Sequence, residues 1–252
     1  MNKKFAELAK KSKVIVIKVG SNILVNEKHS LRKKWLSSLV EDVQKLQRKG
    51  SKIIIVSSGA IALGRKILSK KKLTNLHEKQ AAASIGQIQL SQEWQKAFAK
   101  CKIQSSQILI TAEDLNERRK YLNIRNTIYS LMDLNVVPII NENDTTSTEE
   151  IRFGDNDKLS AMIANVLSAE LLILLSDVNG LYTSNPKKSA QAKLITSVEE
   201  VNQQIEKYID KDLSEFGSGG MLAKVNAAKL CIQSGSTTVS YTHLTLPTKQ
   251  DV

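Results

Sequence analysis

Short, mostly apolar runs recur along the chain and dominate its hydrophobic pattern. The runs that stand out are VIVI at 14–17, IIIV at 53–56, QILI at 107–110, VVPII at 136–140 and LLILL at 171–175. They do not alternate between polar and apolar residues, which is typical of strands covered on both faces. The pattern therefore predicts buried strands of a parallel sheet. Pro138 cannot donate to a neighbouring strand, so we expect it at a bulge or near a strand end.

Stretches with helical periodicity lie between these runs. In the first stretch, one face carries Trp35, Leu36, Leu39, Val43 and Leu46. Ser30 is a candidate N-cap for this helix, and Gly50 is a candidate residue for its C-terminal end. Further helices are predicted at 79–100, 118–134 and 157–168. Strands that alternate with helices predict a doubly wound α/β sandwich.

Polar residues and glycines follow four of the predicted strands. The segments are KVGSN at 18–22, SSGAIALGR at 57–65, NENDTT at 141–146 and SDVNGLYTSNP at 176–186. In open α/β sheets, ligands bind beyond the carboxyl ends of the strands. Gly20 and Gly59 would let the backbone turn sharply, so that N–H groups at a helix start face an anion. A single turn of this kind is also common without a ligand, but two of them beside Lys18 favour an anion site.

A glycine-rich segment, FGSGGMLAK at 216–224, precedes another predicted helix with Lys224 in its first turn. Val225, Ala228 and Ile232 share one face of that helix. Backbone N–H groups and a lysine would face the same anion there. A flexible loop followed by a helix with a solvated lysine explains the segment equally well. The polar, irregular residues 202–217 before it are predicted to form a mobile loop.

Asp155, Asn156 and Asp157 form a polar cluster at a predicted loop-to-helix junction. Capping the helix would need only one of them. Together with Asp144, they could orient lysines and bind the amino group of a substrate. The chain has no P-loop motif and no G-x-G-x-x-G after the first strand, which argues against P-loop kinases and the common dinucleotide dehydrogenases.

The composition is that of a soluble globular protein with a basic balance. Lys+Arg 37 against Asp+Glu 25 gives a net charge of +12, which allows an anionic substrate or a nucleic acid as partner. The scattered lysines and an aromatic content of 4% count against nucleic-acid binding. Cys101 and Cys231 have no metal-binding or disulfide spacing, and no signal or membrane segment is apparent. The chain is therefore predicted to be cytoplasmic, with no nucleic-acid or membrane partner.

Taken in order, several short motifs resemble the amino acid kinase family. They are IKVGSN, IVSSGAIALG, KQAAASIGQ, LNIRNTI, PIINENDT, FGDNDKLSA, SDVNGLYTSNP and GSGGMLAK. The resemblance covers about residues 12–239 and implies a three-layer αβα sandwich with a mainly parallel central sheet. It further implies ATP-dependent phosphorylation of the γ-carboxylate of L-glutamate, the first step toward proline. Acetylglutamate, aspartate, carbamate or UMP is the alternative acceptor, and a basic nucleic-acid-binding protein is a more distant alternative.

The resemblance also implies roles for individual residues, with ATP and Mg²⁺ as cofactors. The implied catalytic residues are Lys18, Lys224 and Asp157, the last of which would organise the two lysines or magnesium. The implied ATP-binding residues are Lys18, Gly20, Ser176, Asp177, Ser218, Gly219, Gly220, Met221, Leu222, Ala223 and Lys224. The implied glutamate-binding residues are Ser58, Gly59, Asp144 and Asn156. No residue is assigned as a direct metal ligand.

Two features of the chain depart from the family pattern. The chain is expected to form one kinase domain over 1–252, because it is too short for the C-terminal PUA domain of many members. Residues 240–252 do not continue the family pattern, and we expect them not to form native-like structure. A homo-oligomer, either a dimer or a tetramer, is expected. A catalytically inactive regulator on the same fold is disfavoured by the presence of Lys18, Lys224 and Asp157.

Overall fold

A computed structural model describes residues 3–70, 72–147, 155–178, 180–184, 189, 191–198, 205 and 221–242. The helices are α1 Lys3–Lys11, α2 Ser21–Leu24, α3 Lys33–Gln47, α4 Ala60–Ile67, α5 Leu76–Lys100, α6 Arg118–Asp133, α7 Asp155–Val166 and α8 Met221–Gln233. The strands are β1 Val14–Val19, β2 Lys52–Ser57, β3 Ser105–Ile110, β4 Val137–Glu142, β5 Leu171–Leu175, β6 Leu181–Tyr182, β7 Leu194–Ile195 and β8 Thr237–Tyr241. All five strands predicted from the apolar runs are confirmed.

The central sheet is parallel throughout the described residues and has the strand order β3-β4-β2-β1-β5-β8. Strands β1 and β5 pair from Ile15 with Leu171 to Val19 with Leu175. The short strands β6 and β7 form a separate antiparallel pair. Because all six strands of the central sheet run in one direction, their carboxyl ends meet at one edge, where the polar segments follow.

Two hydrophobic cores cover the two faces of the sheet. One core joins the sheet to α3, α4 and α5, and the other joins it to α6, α7 and α8. Along β1, Ile15, Ile17 and Val19 belong to the first core, whereas Val16 belongs to the second. Side chains alternate along a strand, so Lys18 points toward the layer of α6, α7 and α8. The predicted three-layer αβα sandwich with a mainly parallel sheet is confirmed.

Ser30 is not the N-cap of α3, so this prediction is wrong. The helix begins at Lys33 with Arg32 as its N-cap residue. The Asn26 side chain instead accepts a hydrogen bond from the Ser30 N–H at 2.9 Å, and Val25 and Leu31 form a β-bridge around this turn. An asparagine that bonds to nearby backbone competes with helix formation, which moves the helix start past Ser30.

Pro138 and Gly50 lie where the sequence predicted them. Pro138 is the second residue of β4, and the Val137 N–H donates toward β3 at 2.9 Å. The Pro138 nitrogen therefore faces β2, with which pairing begins only at Ile139, so no strand hydrogen bond is lost. Gly50 follows the end of α3 with a φ of 91°, a backbone conformation that glycine adopts without strain.

The C-terminal part of the described chain differs from the prediction in two respects. The face of α8 predicted from Val225, Ala228 and Ile232 is not the buried one. The buried positions are Val225, Ala227 and Cys231, whereas Ile232 is 40% exposed. Ser240 and Tyr241, predicted to lack native-like structure, form the last two positions of β8 and pair with β5. The prediction is wrong for these two residues because the register with β5 continues through them.

Two further predictions fall largely or wholly outside the described residues. They concern the loop at 202–217, of which only Ile205 is described, and the end of the chain at 243–252. Among the helices that the structure describes, none has an apolar stretch long enough to cross a lipid bilayer.

Candidate active site

Lys18 and Asp157 form a buried ion pair at the carboxyl edge of the sheet. The Lys18 Nζ atom lies 2.7 Å from Asp157 Oδ1, and the two side chains are 7% and 0% exposed. Lys18 comes from β1 and points toward α7, where Asp157 is the third residue of the helix. A buried charge is tolerated only with a partner, so this pair fixes the lysine at the edge of the sheet.

Lys224 brings a second ammonium group to the same carboxylate. Its Nζ atom lies 3.6 Å from Asp157 Oδ2, and its side chain is 11% exposed. Lys224 is the fourth residue of α8. One carboxylate thus lies between two ammonium groups, and this buried cluster carries a net positive charge. We call Lys18, Asp157 and Lys224 the Lys18 cluster. Its net positive charge favours an anionic ligand.

The environment of Lys18 lowers its pKa below the ordinary value of a lysine. Burial is the largest cause, because it penalises the charged form, and the nearby charge of Lys224 acts in the same direction. The carboxylate of Asp157 opposes both effects. An arriving phosphate would favour the charged form of Lys18, because it supplies a further negative charge.

Gly20 leaves open space beside the Lys18 ammonium group. It is the N-cap residue of the short helix α2, and its N–H donates to the Leu175 carbonyl at 3.4 Å. A Cβ atom at this position would lie 3.4 Å from that carbonyl oxygen and 3.6 Å from Lys18 Nζ. A larger side chain would therefore extend into the space next to the lysine.

Ser176 and Asp177 follow β5 at the same edge. The Ser176 N–H donates to the Tyr241 carbonyl at 2.8 Å, which ties this turn to the end of β8. Ser176 is buried and Asp177 is exposed, and the Asp177 charge acts on Lys18 to raise its pKa. Both predicted residues therefore lie on the Lys18 side of the site.

The first turn of α8 contains the predicted residues Met221, Leu222 and Ala223. Met221 packs against Val225 and Ile205, and Leu222 is 37% exposed. The predicted residues Ser218, Gly219 and Gly220 lie outside the described residues.

Ser58 and Asn156 meet beside the Lys18 cluster. The Asn156 Nδ2 group donates to Ser58 Oγ at 2.8 Å and to the Ser57 carbonyl at 3.2 Å. Asn156 precedes Asp157 on α7, so one helix start supplies both the partner of the lysines and this polar group. Gly59 follows with a φ of 115° and is the N-cap residue of α4, so the cap position itself supplies no side-chain hydrogen bond. A Cβ atom at Gly59 would lie 3.2 Å from Val25 Cγ2.

Asn156 presents a free acceptor at this position. In the part of the chain that the structure describes, the buried Asn156 Oδ1 atom has no hydrogen-bond partner. Its amide orientation is fixed, because Nδ2 faces the Ser57 carbonyl, which can only accept. A buried acceptor without a partner is costly, and the ammonium group of an amino acid would satisfy it. Asp144 lies in the turn directly after β4, at the same edge of the sheet, and is half-buried.

Asn141 and Gln87 extend this hydrogen-bond network, although the sequence analysis gave neither residue a role and included them only within longer segments. Asn141 is the fifth residue of β4 and is buried, and its Oδ1 atom accepts from Asn156 Nδ2 at 3.0 Å. Gln87 of α5 accepts from Asn141 Nδ2 at 2.8 Å. Asn141 could have been found from its place at a strand end, whereas the contact with Gln87 spans 54 positions and leaves no local signal.

The sequence and fold of this chain are similar to those of known kinases. The profile of the amino acid kinase family matches residues 13–240. A glutamate 5-kinase from Pelagibacter ubique (strain HTCC1062) is 50% identical over 227 residues, which are 90% of this chain and 62% of the relative. A glutamate 5-kinase from Nitrosospira multiformis is 46% identical over 231 residues, 91% of this chain and 62% of the relative. The chain thus spans about three fifths of the length of these relatives.

Two solved structures have the same fold. The carbamate kinase from Giardia lamblia bound to AMP-PNP has a TM-score of 0.64 at 15% identity, covering 93% of this chain and 94% of that one. An isopentenyl phosphate kinase has a TM-score of 0.60 at 16% identity, covering 92% and 91%. At these identities the likeness shows the fold alone, whereas the family profile matches most of the sequence. The chain belongs to the amino acid kinase family.

Proposed function

We propose that the chain transfers the γ-phosphoryl group of ATP to the γ-carboxylate of L-glutamate, giving ADP and γ-glutamyl phosphate. The observation that carries the proposal is the buried Lys18–Asp157–Lys224 cluster, in which Asp157 lies on the same helix start as Asn156 Oδ1, an acceptor that has no partner among the described residues. The cluster suits phosphates and the acceptor suits an amino acid. The two relatives described above are both named glutamate 5-kinase, which supports the same substrate.

Phosphoryl transfer to a carboxylate requires neutralisation of the negative charge of the phosphates, and it does not require a general base. A γ-carboxylate is ionised at neutral pH, so its oxygen is ready to attack without losing a proton. The new bond joins that oxygen to the γ-phosphorus, and the bond to the bridging oxygen of ADP breaks with its electron pair. Because an anion must approach a polyanion, positioning and electrostatic stabilisation supply most of the rate.

Lys18 and Lys224 supply this stabilisation in the proposed mechanism. Asp157 contacts both ammonium groups, which fixes their position before any substrate arrives. Preorganised charges cost little reorganisation when the phosphoryl group transfers. Ser176 and Asp177, together with Gly20 and the start of α8, would then bind the remainder of the nucleotide.

The acceptor amino acid would bind at the starts of α4 and α7. Asn156 Oδ1 would accept from its ammonium group, with Asp144 supplying a negative charge nearby. The N–H groups that follow Gly59 at the start of α4, which receive no hydrogen bond from an N-cap side chain, would bind a carboxylate. Ser58, held by Asn156 at 2.8 Å, would complete this site.

Magnesium fits this site as a companion of the nucleotide. Among the described residues, no three His, Cys, Asp or Glu side chains come close enough together to hold a metal ion. Mg²⁺ commonly keeps several waters and binds substrate phosphates with few protein ligands, so the residues present are compatible with Mg·ATP. When bound, the ion would neutralise phosphate charge. A single kinase domain, a homo-oligomeric state and a cytoplasmic location stay predictions.

A substrate panel tests the proposed function. ADP release with Mg·ATP is compared for L-glutamate, aspartate, acetylglutamate, carbamate and UMP, with hydroxylamine present to trap an acyl phosphate as its hydroxamate. We expect ADP and hydroxamate with L-glutamate, and neither with Lys224→Ala. Activity with another acceptor alone would refute the glutamate assignment and keep the phosphate site.

A further inference from the structure

A chain of side-chain hydrogen bonds runs from the acceptor site into α5. Asn156 Nδ2 donates to Asn141 Oδ1 at 3.0 Å, and Asn141 Nδ2 donates to Gln87 Oε1 at 2.8 Å. Gln87 Nε2 donates to Ser91 Oγ at 3.2 Å, and Ser91 Oγ donates to Gln107 of the edge strand β3. We call these five residues the amide relay.

The amide relay passes around the carboxyl edge of the sheet from one helix layer to the other. Asn156 belongs to α7, which covers one face, and Gln87 belongs to α5, which covers the opposite face. Asn141 joins them at the end of β4. The side chains of α5 thereby reach a site whose charged residues Lys18, Asp157 and Lys224 lie on β1, α7 and α8.

The four hydrogen bonds of the relay all run in the same direction, away from the site, and Gln107 is the final acceptor. Two backbone groups fix this direction, because each can act in only one way. The Glu142 N–H donates to Asn141 Oδ1 at 2.9 Å, and the Ser57 carbonyl accepts from Asn156 Nδ2 at 3.2 Å. The end of the relay at the site is therefore an acceptor, Asn156 Oδ1, which matches a group that only donates, such as an ammonium.

We propose that Gln87 is a positioning residue for the acceptor site, because it holds the Asn141 amide that in turn fixes Asn156 Oδ1 toward the ammonium group of the amino acid. This inference rests on the proposed function. Asn141 is 3% exposed, so water cannot readily replace Gln87 as the partner of its Nδ2 group. Without Gln87, the buried Asn141 Nδ2 group loses its acceptor. The asparagine pair is then oriented only by its two backbone contacts, with the Glu142 N–H and the Ser57 carbonyl.

The test compares Gln87→Leu with Gln87→Glu in the full chain. Leucine removes the acceptor, whereas glutamate keeps an oxygen at the position that accepts from Asn141. Gln92→Leu makes the same change at an exposed position of the same helix and serves as the matched control. The kcat and the KM values for L-glutamate and Mg·ATP are measured for each variant, along with the melting temperature.

We expect Gln87→Leu to raise the KM for L-glutamate about tenfold, as for the loss of one buried hydrogen bond. The KM for Mg·ATP and kcat should stay within about twofold, and Gln87→Glu should restore most of the affinity for L-glutamate. Glutarate, which is glutamate without the ammonium group, is measured as a competitive inhibitor. Its inhibition constant should be the same in wild type and Gln87→Leu, because the relay acts on the missing group.

Three results would overturn the inference. One is an unchanged KM for L-glutamate in Gln87→Leu. Another is an equal rise in the KM for L-glutamate, the KM for Mg·ATP and the inhibition constant of glutarate, which would indicate general damage to the fold. The third is a wild-type chain with no L-glutamate-dependent ADP release, which would refute the proposed function itself. The wild-type measurement thus separates failure of the function from failure of the positioning role.

Discussion

The ammonium group of Lys18 lies where its charge is costly until an anion binds. Burial and Lys224 both disfavour its charged form, and Asp157 offsets part of that cost. Two cations that share one carboxylate leave positive charge in a nearly dry position, at 7% and 11% exposure for the lysine side chains. A bound phosphate group would neutralise this excess positive charge. At the residue scale, we therefore expect the two lysines of this buried ion-pair network to bind the phosphate.

Removing the charge of Lys18 should slow phosphoryl transfer. Lys18→Met keeps most of the side-chain volume but removes the ammonium group, so we expect kcat to fall about 10²–10³-fold. Lys158→Met changes an exposed lysine that directly follows Asp157 and should have little effect. The kcat of both variants with L-glutamate and Mg·ATP checks this. Equal activity of Lys18→Met and wild type would contradict a role for Lys18 in transfer.

The pH dependence of kcat/KM for Mg·ATP should report the lowered pKa of Lys18. Phosphate binding needs the ammonium form, so kcat/KM should fall as pH rises through that pKa, before the range near about 10.4 where an ordinary lysine titrates. In Lys18→Arg the guanidinium stays charged, so the fall should move to higher pH. A fall at the same pH in both proteins would assign it to another group.

Only some of the site residues could be found from the sequence at this scale. Lys18, Asp157 and Lys224 interrupt apolar or glycine-rich segments at strand ends and helix starts, and the structure brings all three together. Gln87 lies within a helix and shows no local irregularity. Its contact with Asn141 depends on how α5 packs against β4, which periodicity does not reveal.

At the scale of elements, two glycines let α4 and α5 cross in backbone contact. A Cβ atom at Gly86 would lie 1.9 Å from the Ala60 carbonyl oxygen, and one at Gly64 would lie 1.7 Å from the Ala82 carbonyl oxygen. Because the neighbouring atoms belong to helix backbone, a side chain at either glycine would have to push the two helices apart. Because α4 begins at the predicted acceptor site, this crossing also sets where Gly59 lies.

Gly86→Ala should disturb both stability and acceptor binding. Overpacking at this crossing should lower the free energy of unfolding by about 1–3 kcal/mol. The displaced start of α4 should also raise the KM for L-glutamate more than that for Mg·ATP. Ser84→Ala, at an exposed position of α5, is the control. Urea unfolding and steady-state kinetics measure the two effects, and an unchanged free energy of unfolding would show that the helices can separate without cost.

The elements themselves were largely predictable, and the exceptions have physical reasons. Continuous apolar runs locate the buried strands because both sheet faces are covered. The start of α3 was wrong because Asn26 holds Ser30 in a turn. The strands β6 and β7 have two residues each, too few for any periodicity. A helix start was expected after Gly59, but the bounds of helix α4 were not predicted, since its sequence reads first as a glycine-containing turn.

At the scale of the whole molecule, the two predicted binding sites lie along one edge of the parallel sheet. The starts of α7 and α8, together with β1 and β5, surround the predicted phosphate site. The starts of α4 and α7, together with β4, surround the predicted acceptor site. Helix α7 takes part in both through the neighbouring residues Asn156 and Asp157. In the proposed mechanism, this adjacency would bring the acceptor carboxylate next to the phosphate.

Thermal unfolding should distinguish ligand binding at the predicted phosphate site from ligand binding at the predicted acceptor site. A non-hydrolysable ATP analogue with Mg²⁺, or L-glutamate, should each raise the melting temperature, since a ligand at about 100 times its Kd adds about 2.7 kcal/mol. Lys224→Ala should lose most of the nucleotide effect and keep the glutamate effect. Asn156→Ala should show the opposite pattern. Loss of both effects in both variants would contradict two separable sites.

Oxygen transfer from the acceptor carboxylate tests the central claim most directly. L-Glutamate labelled with ¹⁸O in its γ-carboxylate is incubated with Mg·ATP, the chain and hydroxylamine, and the released phosphate is analysed by mass spectrometry. Hydroxylamine attacks the acyl carbon and expels phosphate together with the bridging oxygen, so the account predicts one ¹⁸O in each phosphate. Unlabelled phosphate would show that water, rather than the glutamate carboxylate, attacks the γ-phosphorus, and would contradict the account.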